Sequence, residues 1–239
     1  LLNVPRHRNE LQHHARGCYS AHAEVKRLNR RTEHALMTAE RLSAVVSLHL
    51  DVEYPASALE SAWKDLLYNQ FHDILAGTSL ASSYEDTRDQ LGRARHTAHE
   101  LTNMAVQRLA RHIDTQAEGN TIVVVNPLPW PVTTPVVVSP VVARTLGHPI
   151  HLVDDTGQPV PMQPVRGESS TVEAVAQARH AFVATLPALG YRCYHARSAQ
   201  ESQTQQTPSL HVTPQSLENA WWRLELDATT GEVARLLDK

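Results

Sequence analysis

A chain of 239 residues with 22 Lys and Arg against 25 Asp and Glu carries a formal net charge of -3, too small a field to draw in nucleic acid or an anionic membrane. The length suffices to bury one large or two modest cores. Cys18 and Cys193, far apart in the chain, do not read as a disulfide framework, so a reducing cytoplasm is the expected setting; no apolar run reaches membrane-spanning length and no secretory leader is visible, which says little about a longer parent.

The first half is rich in Ala, Leu, Arg, Glu and His with little proline, and the region after Gly119 is rich in Val, Pro and Thr. This change of vocabulary predicts a helical domain over 1–118 and a β domain over 119–239. From Ser20 to about Leu50, Val25, Leu28, Ala35, Leu36, Ala39, Leu42, Val45 and Val46 recur at steps of three and four, the mark of a long amphipathic helix. Pro55 and the capping box Ser57-Ala58-Leu59-Glu60 predict the start of a second helix carrying Leu59, Ala62, Trp63, Leu66 and Leu67. A third is predicted from Ser79–Ser83 through Leu91, Ala94, Ala98, Leu101, Ala105 and Leu109 to Ile113, and short connections between three helices imply an antiparallel bundle.

Beyond the boundary, Thr121 to Val125 reads as a buried strand closed by prolines at 127, 129 and 131. Further strands are predicted at Val136 to Val138, Ile150 to Val153, Val172 to Ala178, His180 to Leu186 and Tyr191 to Ala196. The polar stretch Ser198 to Ser209 reads as a loop. Trp221 to Asp227 and Val233 to Leu237 are expected to pair around the turn Ala228 to Gly231. The fold class is therefore α+β, an antiparallel three-helix bundle followed by part of an antiparallel β-sandwich. With Leu1 in place of a methionine and Lys239 just after a strand, both ends read as cut from a longer protein.

Between the second and third helices lies the run Asn69-Gln70-Phe71-His72-Asp73-Ile74-Leu75-Ala76-Gly77-Thr78-Ser79. It sets a metal-capable imidazole beside a carboxylate where an apolar helix meets a glycine turn. Taken alone, His72 reads first as a partly buried helix-end histidine bonded to backbone, and Asp73 also reads as an ordinary helix-terminal carboxylate. Asn69 and Gln70 either orient these two groups or fill a polar helix face. Glu10, Glu24 and Asp65 read as solvated charges. The spacings of the other histidines among the chain's 15 match no zinc motif; His99-Glu100, for instance, lacks a histidine three positions on. Arg16, Gly17 and Tyr19 fit a cleft lining or a simple turn, and Trp63, Trp130, Trp221 and Trp222 fit sugar stacking or plain packing.

The run and its flanks resemble the middle region of glycoside hydrolase family 38, the zinc-dependent retaining α-mannosidases. Leu11 to Ser20, continuing through Lys26-Arg27-Leu28-Asn29-Arg30, is similar to the lead-in of that family's helical domain in bacterial members. Val125-Asn126-Pro127-Leu128-Pro129-Trp130-Pro131 is similar to the "N-P-L-x-W-x-R" phrase that opens its C-terminal β region, with Val132 in place of the arginine. Leu217-Glu218-Asn219 through Thr230-Gly231 to Asp238-Lys239 resembles its "L-E-N … T-G-x-I-x-S-L-x-D-K" hairpin.

The resemblance implies that His72 is a ligand of one Zn2+ ion, whose other ligands, a histidine and two aspartates, come from an N-terminal catalytic domain. It implies that Asp73 contacts the bound sugar. Phe71 stands where some members have a histidine, which leaves His72 as the single ligand of this run. Retaining cleavage needs two carboxyl groups, and neither they nor the family's "H-x-H-x-D" metal motif lies in this sequence. The implied partners are a mannoside, the N-terminal catalytic domain and the rest of the C-terminal domain, with no nucleic acid and no membrane. Self-association into a homo-oligomer is compatible with all of this. The fragment alone is expected to be inactive; the competing readings are a non-catalytic sugar-binding or scaffold module and a mannosylglycerate-type hydrolase.

Overall fold

The computed structural model describes residues 6, 8, 15–116, 119–138, 150–165, 179–198 and 210–239. The chain forms two compact units, Leu1–Asp114 and Thr115–Lys239. The first is helical, with α1 over Ala23–Leu50, α2 over Ala56–Tyr68, α3 over His72–Ala76 and α4 over Ala81–Ala110. No helix among the described residues is long and apolar enough to cross a membrane.

The two long helices owe their pairing to side-chain spacing. α4 buries Tyr84, Thr87, Leu91, Ala94, Ala98 and Ala105, and α1 buries Val25, Thr32, Leu36, Ala39, Ser43 and Val46. Alternating steps of three and four keep one stripe facing a partner along the whole length of a helix. Small residues at Ala39, Ala94 and Ala98, all fully buried, let the backbones approach. α2 adds Leu59, Ala62 and Leu66 to the same core, with Trp63 and Leu101 packed at its margin.

All three expected helices are present. The predicted capping box is not: Pro55 occupies the N-cap position without a side-chain cap, Ser57 lies inside the first turn, and Glu60 pairs with Lys64 instead. The five-residue α3 is an element that periodicity did not announce, because a single turn is too short to show a repeat.

Among the described residues the second unit contains only antiparallel pairs: β1 Asn120–Asn126, β2 Val132–Val138, β3 Ile150–Asp154, β4 Pro159–Val160, β5 Met162–Val165, β6 Arg179–Leu186, β7 Gly190–Ser198, β8 His211–Thr213, β9 Ser216–Glu218, β10 Trp222–Leu226 and β11 Val233–Asp238. They form sheets of order β1-β7-β3-β4, β2-β6-β5 and β11-β10-β9-β8. Phe182, Ala184 and Leu186 alternate inward on β6 and meet Leu152, Tyr194 and Ala196 from the other sheet, with the rings of Phe182 and Tyr194 4.8 Å apart. Burial raises the pKa of the Tyr194 phenol.

Pro135 sits within β2, which is tolerated because β2 is an edge strand of its sheet among the described residues. The strands expected near Thr121, Val136, Ile150, His180 and Tyr191 are all present, as is the pairing of β10 with β11. The strand expected at Val172 to Ala178 and most of the loop expected after Ser198 lie outside the described residues. β4, β5, β8 and β9 were not anticipated, since strands of two to four residues give almost no alternation to read.

Asn126 at the end of β1 is 2% exposed and uses both ends of its amide. Its Nδ2 donates to the carbonyls of Trp130 (2.9 Å) and Pro187 (2.7 Å), and its Oδ1 accepts from the Leu128 amide at 3.0 Å. The Leu189 amide donates to the Leu128 carbonyl at 2.8 Å. The β1–β2 connection is thereby fastened to the β6–β7 turn.

Asp154 closes the β3–β4 turn. Its Oδ1 accepts from the Thr156 amide (2.9 Å), the Thr156 hydroxyl (2.7 Å) and the Gln158 amide (2.9 Å). Partial burial pushes the carboxyl pKa up, but these bonds and the nearby Arg192 outweigh it and hold the group below the ordinary aspartate range. A depressed folded-state pKa gives stability that is present above the unfolded value of about 3.9 and lost as pH falls through the folded value. Asp154→Asn is therefore expected to lower the stability of this unit by about 1 kcal/mol at pH 7. Urea titrations should show the gap between variant and wild type narrowing as the pH drops below about 4.

Candidate functional site

The segment carrying His72 is built from its anchors outward. α2 stops at Tyr68, and the next residue turns inward: the buried Asn69 donates to the Asp65 carbonyl at 2.8 Å and to Gln90 Oε1 on α4 at 2.7 Å. Gln70 donates to Asn29 Oδ1 on α1 at 3.3 Å. Neither amide has a hydrogen bond to His72 or Asp73 among these contacts, so both act as ties to the long helices rather than as orienters of the site. Asp65, expected to be a solvated charge, is only 22% exposed and pairs with Arg93 of α4 at 3.0 Å. Its partner lies 28 positions along the chain, which no local pattern reveals.

Phe71 is extended and precedes α3. Within α3, Ile74 points inward against Val25 and Tyr84, which leaves the neighbouring positions facing out. The His72 side chain is 79% exposed and that of Asp73 50%, with Nε2 of the histidine 3.6 Å from Oδ1 of the aspartate. The Phe71 ring lies against the imidazole, centroids 4.2 Å apart. Thr78 donates its amide to the Asp73 carbonyl at 3.0 Å and its hydroxyl to Asp73 Oδ1 at 3.3 Å. The Asp73 carboxylate is thus held on one side and open on the other.

Tyr84, in the first turn of α4, is the residue that sequence reasoning missed. Its hydroxyl donates to the Asp73 carbonyl at 3.3 Å and accepts the Ser79 amide at 3.0 Å, bridging both ends of the α3–α4 turn. The His22 ring stacks on Tyr84, centroids 4.0 Å apart and planes 12° from parallel. A tyrosine seven positions after a glycine carries no motif, so only tertiary structure exposes this role.

Gly77 ends α3 at φ +81°, and a Cβ there would stand 2.8 Å from Ala21 Cβ and 3.2 Å from the Ala21 carbonyl carbon and oxygen. Both the left-handed backbone and the contact exclude a side chain. Gly77→Ala is expected to cost roughly 2–4 kcal/mol, about 1–2 from the backbone and the rest from overpacking. Ala21→Gly in the same chain should recover part of the overpacking share. Urea unfolding of the two single variants and the double variant measures the coupling.

Chemically, the segment offers one imidazole and one carboxylate to the surroundings. Zinc takes three or four protein ligands, and among the described residues no group of three or more His, Cys, Asp or Glu stands close enough to hold a metal. The donors fit a contribution to a zinc site rather than a whole one: an exposed imidazole with a carboxylate beside it. A cavity of about 750 Å³ lies elsewhere in the helical unit, lined by Val46, Tyr54, Ser57, Leu101, Met104 and Arg108 among others; neither His72 nor Asp73 borders it. Gly17, in the lead-in, forms a turn at φ +91°, accepting the Ser20 and Ala21 amides at its carbonyl. Trp63 packs on the helical core, whereas Trp130, Trp221 and Trp222 are exposed.

The chain matches known proteins at three levels. Residues 13–109 match the family model described as the alpha mannosidase middle domain. Human alpha-mannosidase 2C1 is 32% identical over 115 residues, 48% of this chain and 11% of that protein. The epididymis-specific alpha-mannosidase of Sus scrofa is 25% identical over 228 residues, 92% of this chain and 22% of that protein. Among solved structures, a glycosyl hydrolase family 38 protein of Enterococcus faecalis superposes with a TM-score of 0.64 at 19% identity, covering 91% of this chain and 30% of that one. An alpha-mannosidase of the same organism gives 0.64 at 18%, covering 93% and 28%; at these identities the likeness shows the fold.

The helical unit is thus an α-mannosidase middle domain. The comparisons support a fragment of an α-mannosidase of glycoside hydrolase family 38, with the family match confined to residues 13–109. It spans between about a tenth and a quarter of the length of the curated relatives described above.

Proposed function

We propose that this chain is part of a bacterial, cytoplasmic α-mannosidase that hydrolyses terminal α-mannosides with retention of configuration. Residues 1–118 would be its middle domain, an antiparallel three-helix bundle with its lead-in, and residues 119–239 the first part of a C-terminal β-sandwich. The observation that carries this reading is that the exposed His72-Asp73 pair lies inside the region matching the α-mannosidase middle domain. His72 supplies one ligand to a Zn2+ ion, and Asp73 accepts hydrogen bonds from the sugar hydroxyls. The remaining ligands and both catalytic carboxylates belong to a catalytic domain outside this chain.

When bound, the metal supplies Lewis-acid polarisation and a template for the sugar hydroxyls. The work of this chain's own residues is positional. Ile74 and Tyr84 fix α3, Thr78 holds the Asp73 carboxylate, and His72 projects from the surface. The substrate class is an α-mannoside from glycan breakdown or a small mannosylated solute such as mannosylglycerate.

The test is the activity of the full-length protein on an aryl α-mannoside with zinc supplied and metal content recorded. The expected result is turnover with zinc bound, and none from residues 1–239 alone. An inactive, metal-free full-length protein would overturn this proposal in favour of a non-catalytic sugar-binding or scaffold module.

A further inference from the structure

The carbonyl and the carboxylate of Asp73 compete for a single proton. The Thr78 hydroxyl lies 3.4 Å from the carbonyl oxygen and 3.3 Å from Oδ1, and a hydroxyl donates only once. The carbonyl is already served. It accepts the Gly77 amide, the Thr78 amide at 3.0 Å and the Tyr84 hydroxyl at 3.3 Å, and a carbonyl oxygen has two lone pairs to offer. Tyr84 is committed to that bond: its oxygen receives the Ser79 amide at 3.0 Å, the residue is 2% exposed, and the His22 ring stacks on its own.

With the carbonyl saturated, the Thr78 proton goes to Oδ1, where a bond to a charged acceptor is roughly twice as strong as one between neutral groups. Nε2 of His72 stands 3.6 Å from the same oxygen. Both neighbours of the carboxylate therefore gather on Oδ1, and Oδ2 meets no donor among the described residues. In none of the bonds made by Thr78 and Tyr84 is the imidazole a partner.

We propose that Thr78 is a positioning residue for the sugar contact: its hydroxyl fixes the Asp73 carboxylate so that Oδ2 is the oxygen presented to the sugar hydroxyls. Tyr84 acts one step further back, filling the carbonyl and so directing the Thr78 proton to Oδ1. The inference deepens the role given to Asp73 above and rests on that reading. It divides the segment in two, because the network serves the sugar contact and leaves the metal ligand to itself.

Thr78 is exposed, so Thr78→Val, which keeps the shape and removes the hydroxyl, is expected to fold as the wild type does. In the full-length protein it should raise KM on an aryl α-mannoside by about tenfold with kcat little changed, the pattern of a lost binding contact, and leave the zinc content unchanged. Thr78→Ser restores the hydroxyl and should bring KM back. Tyr84→Phe keeps the ring and should raise KM less, and combined with Thr78→Val it should add nothing, since both act through one bond. An unchanged KM in Thr78→Val, or an equal rise in Thr78→Ser, would overturn the proposal. So would a loss of zinc in step with turnover, since the network would then serve the metal.

The Asp73 side-chain rotamer, read from its Hα–Hβ NMR couplings in the 239-residue chain, tests the same bond without catalysis. One fixed rotamer is expected in wild type and Thr78→Ser, and averaging in Thr78→Val; the same behaviour in all three would overturn the inference. An inactive full-length wild type with the expected rotamer pattern would sink the mannosidase reading and leave the placement of the carboxylate standing. An active one whose KM ignores Thr78→Val would sink this inference alone.

Discussion

His72→Ala in the full-length protein is expected to abolish zinc binding and to lower kcat/KM on an aryl α-mannoside by about a thousandfold or more. Polarisation by a metal supplies several kcal/mol to a transition state, and each 1.36 kcal/mol is tenfold in rate. The same substitution should leave the fold untouched. The imidazole is 79% exposed, it lies in a helix where alanine is the better former, and α3 is anchored by Ile74 and Tyr84 rather than by the histidine. Thermal melts of wild type and variant as 239-residue chains should therefore agree within about 0.5 kcal/mol. Retained activity and full zinc content in the variant would remove His72 from the metal site.

The second large effect concerns Asn126. Asn126→Ala leaves the Trp130 and Pro187 carbonyls and the Leu128 amide without their partner in a partly buried setting. A cost of about 3 kcal/mol is expected from three lost bonds, each near 1 kcal/mol net. Asn126→Asp is the sharper experiment, because it keeps the acceptor for Leu128 but turns a carboxylate oxygen toward two carbonyls. The charged form is disfavoured there, so the pKa of the introduced aspartate is raised on folding. A raised folded-state pKa means that stability is greatest below the unfolded value of about 3.9 and is lost as pH rises through the folded value. Against wild type, the aspartate variant should thus be weakest near neutral pH and recover toward acid, with the recovery starting above about pH 4, whereas the deficit of Asp154→Asn closes only below about pH 4. Urea titrations across pH distinguish the two directly.

These two residues also mark how far the sequence could be read. The Asn126-Pro127-Leu128-Pro129-Trp130 phrase was recognisable as a family signature, but nothing in its letters says that the asparagine fastens two turns 61 positions apart. The long helices were legible because steps of three and four persist for seven or eight turns. The strands of two to four residues were not, because pairing partners rather than alternation define them. The expected capping box failed for a local reason: Pro55 already occupies the N-cap position, so Ser57 and Glu60 fall within the helix. His72 and Asp73 were found by motif, whereas their supports, Tyr84 with His22 and Gly77 against Ala21, depend on contacts between α4, α3 and the approach to α1.

The bracketing of α3 between the two longest helices has a kinetic and entropic meaning. α1 and α4 pack on each other, and Thr32 of α1 reaches the Leu91 carbonyl of α4 across 59 positions, so residues 51–80 form a loop whose two ends are already closed. The entropy of that closure is lost once, when the helices associate. A ligand arriving at His72 therefore meets a segment with little freedom left to surrender. Native-state hydrogen exchange should divide accordingly, with the buried amides of α1 and α4 opening only with the whole unit and those of the single turn α3 opening on their own.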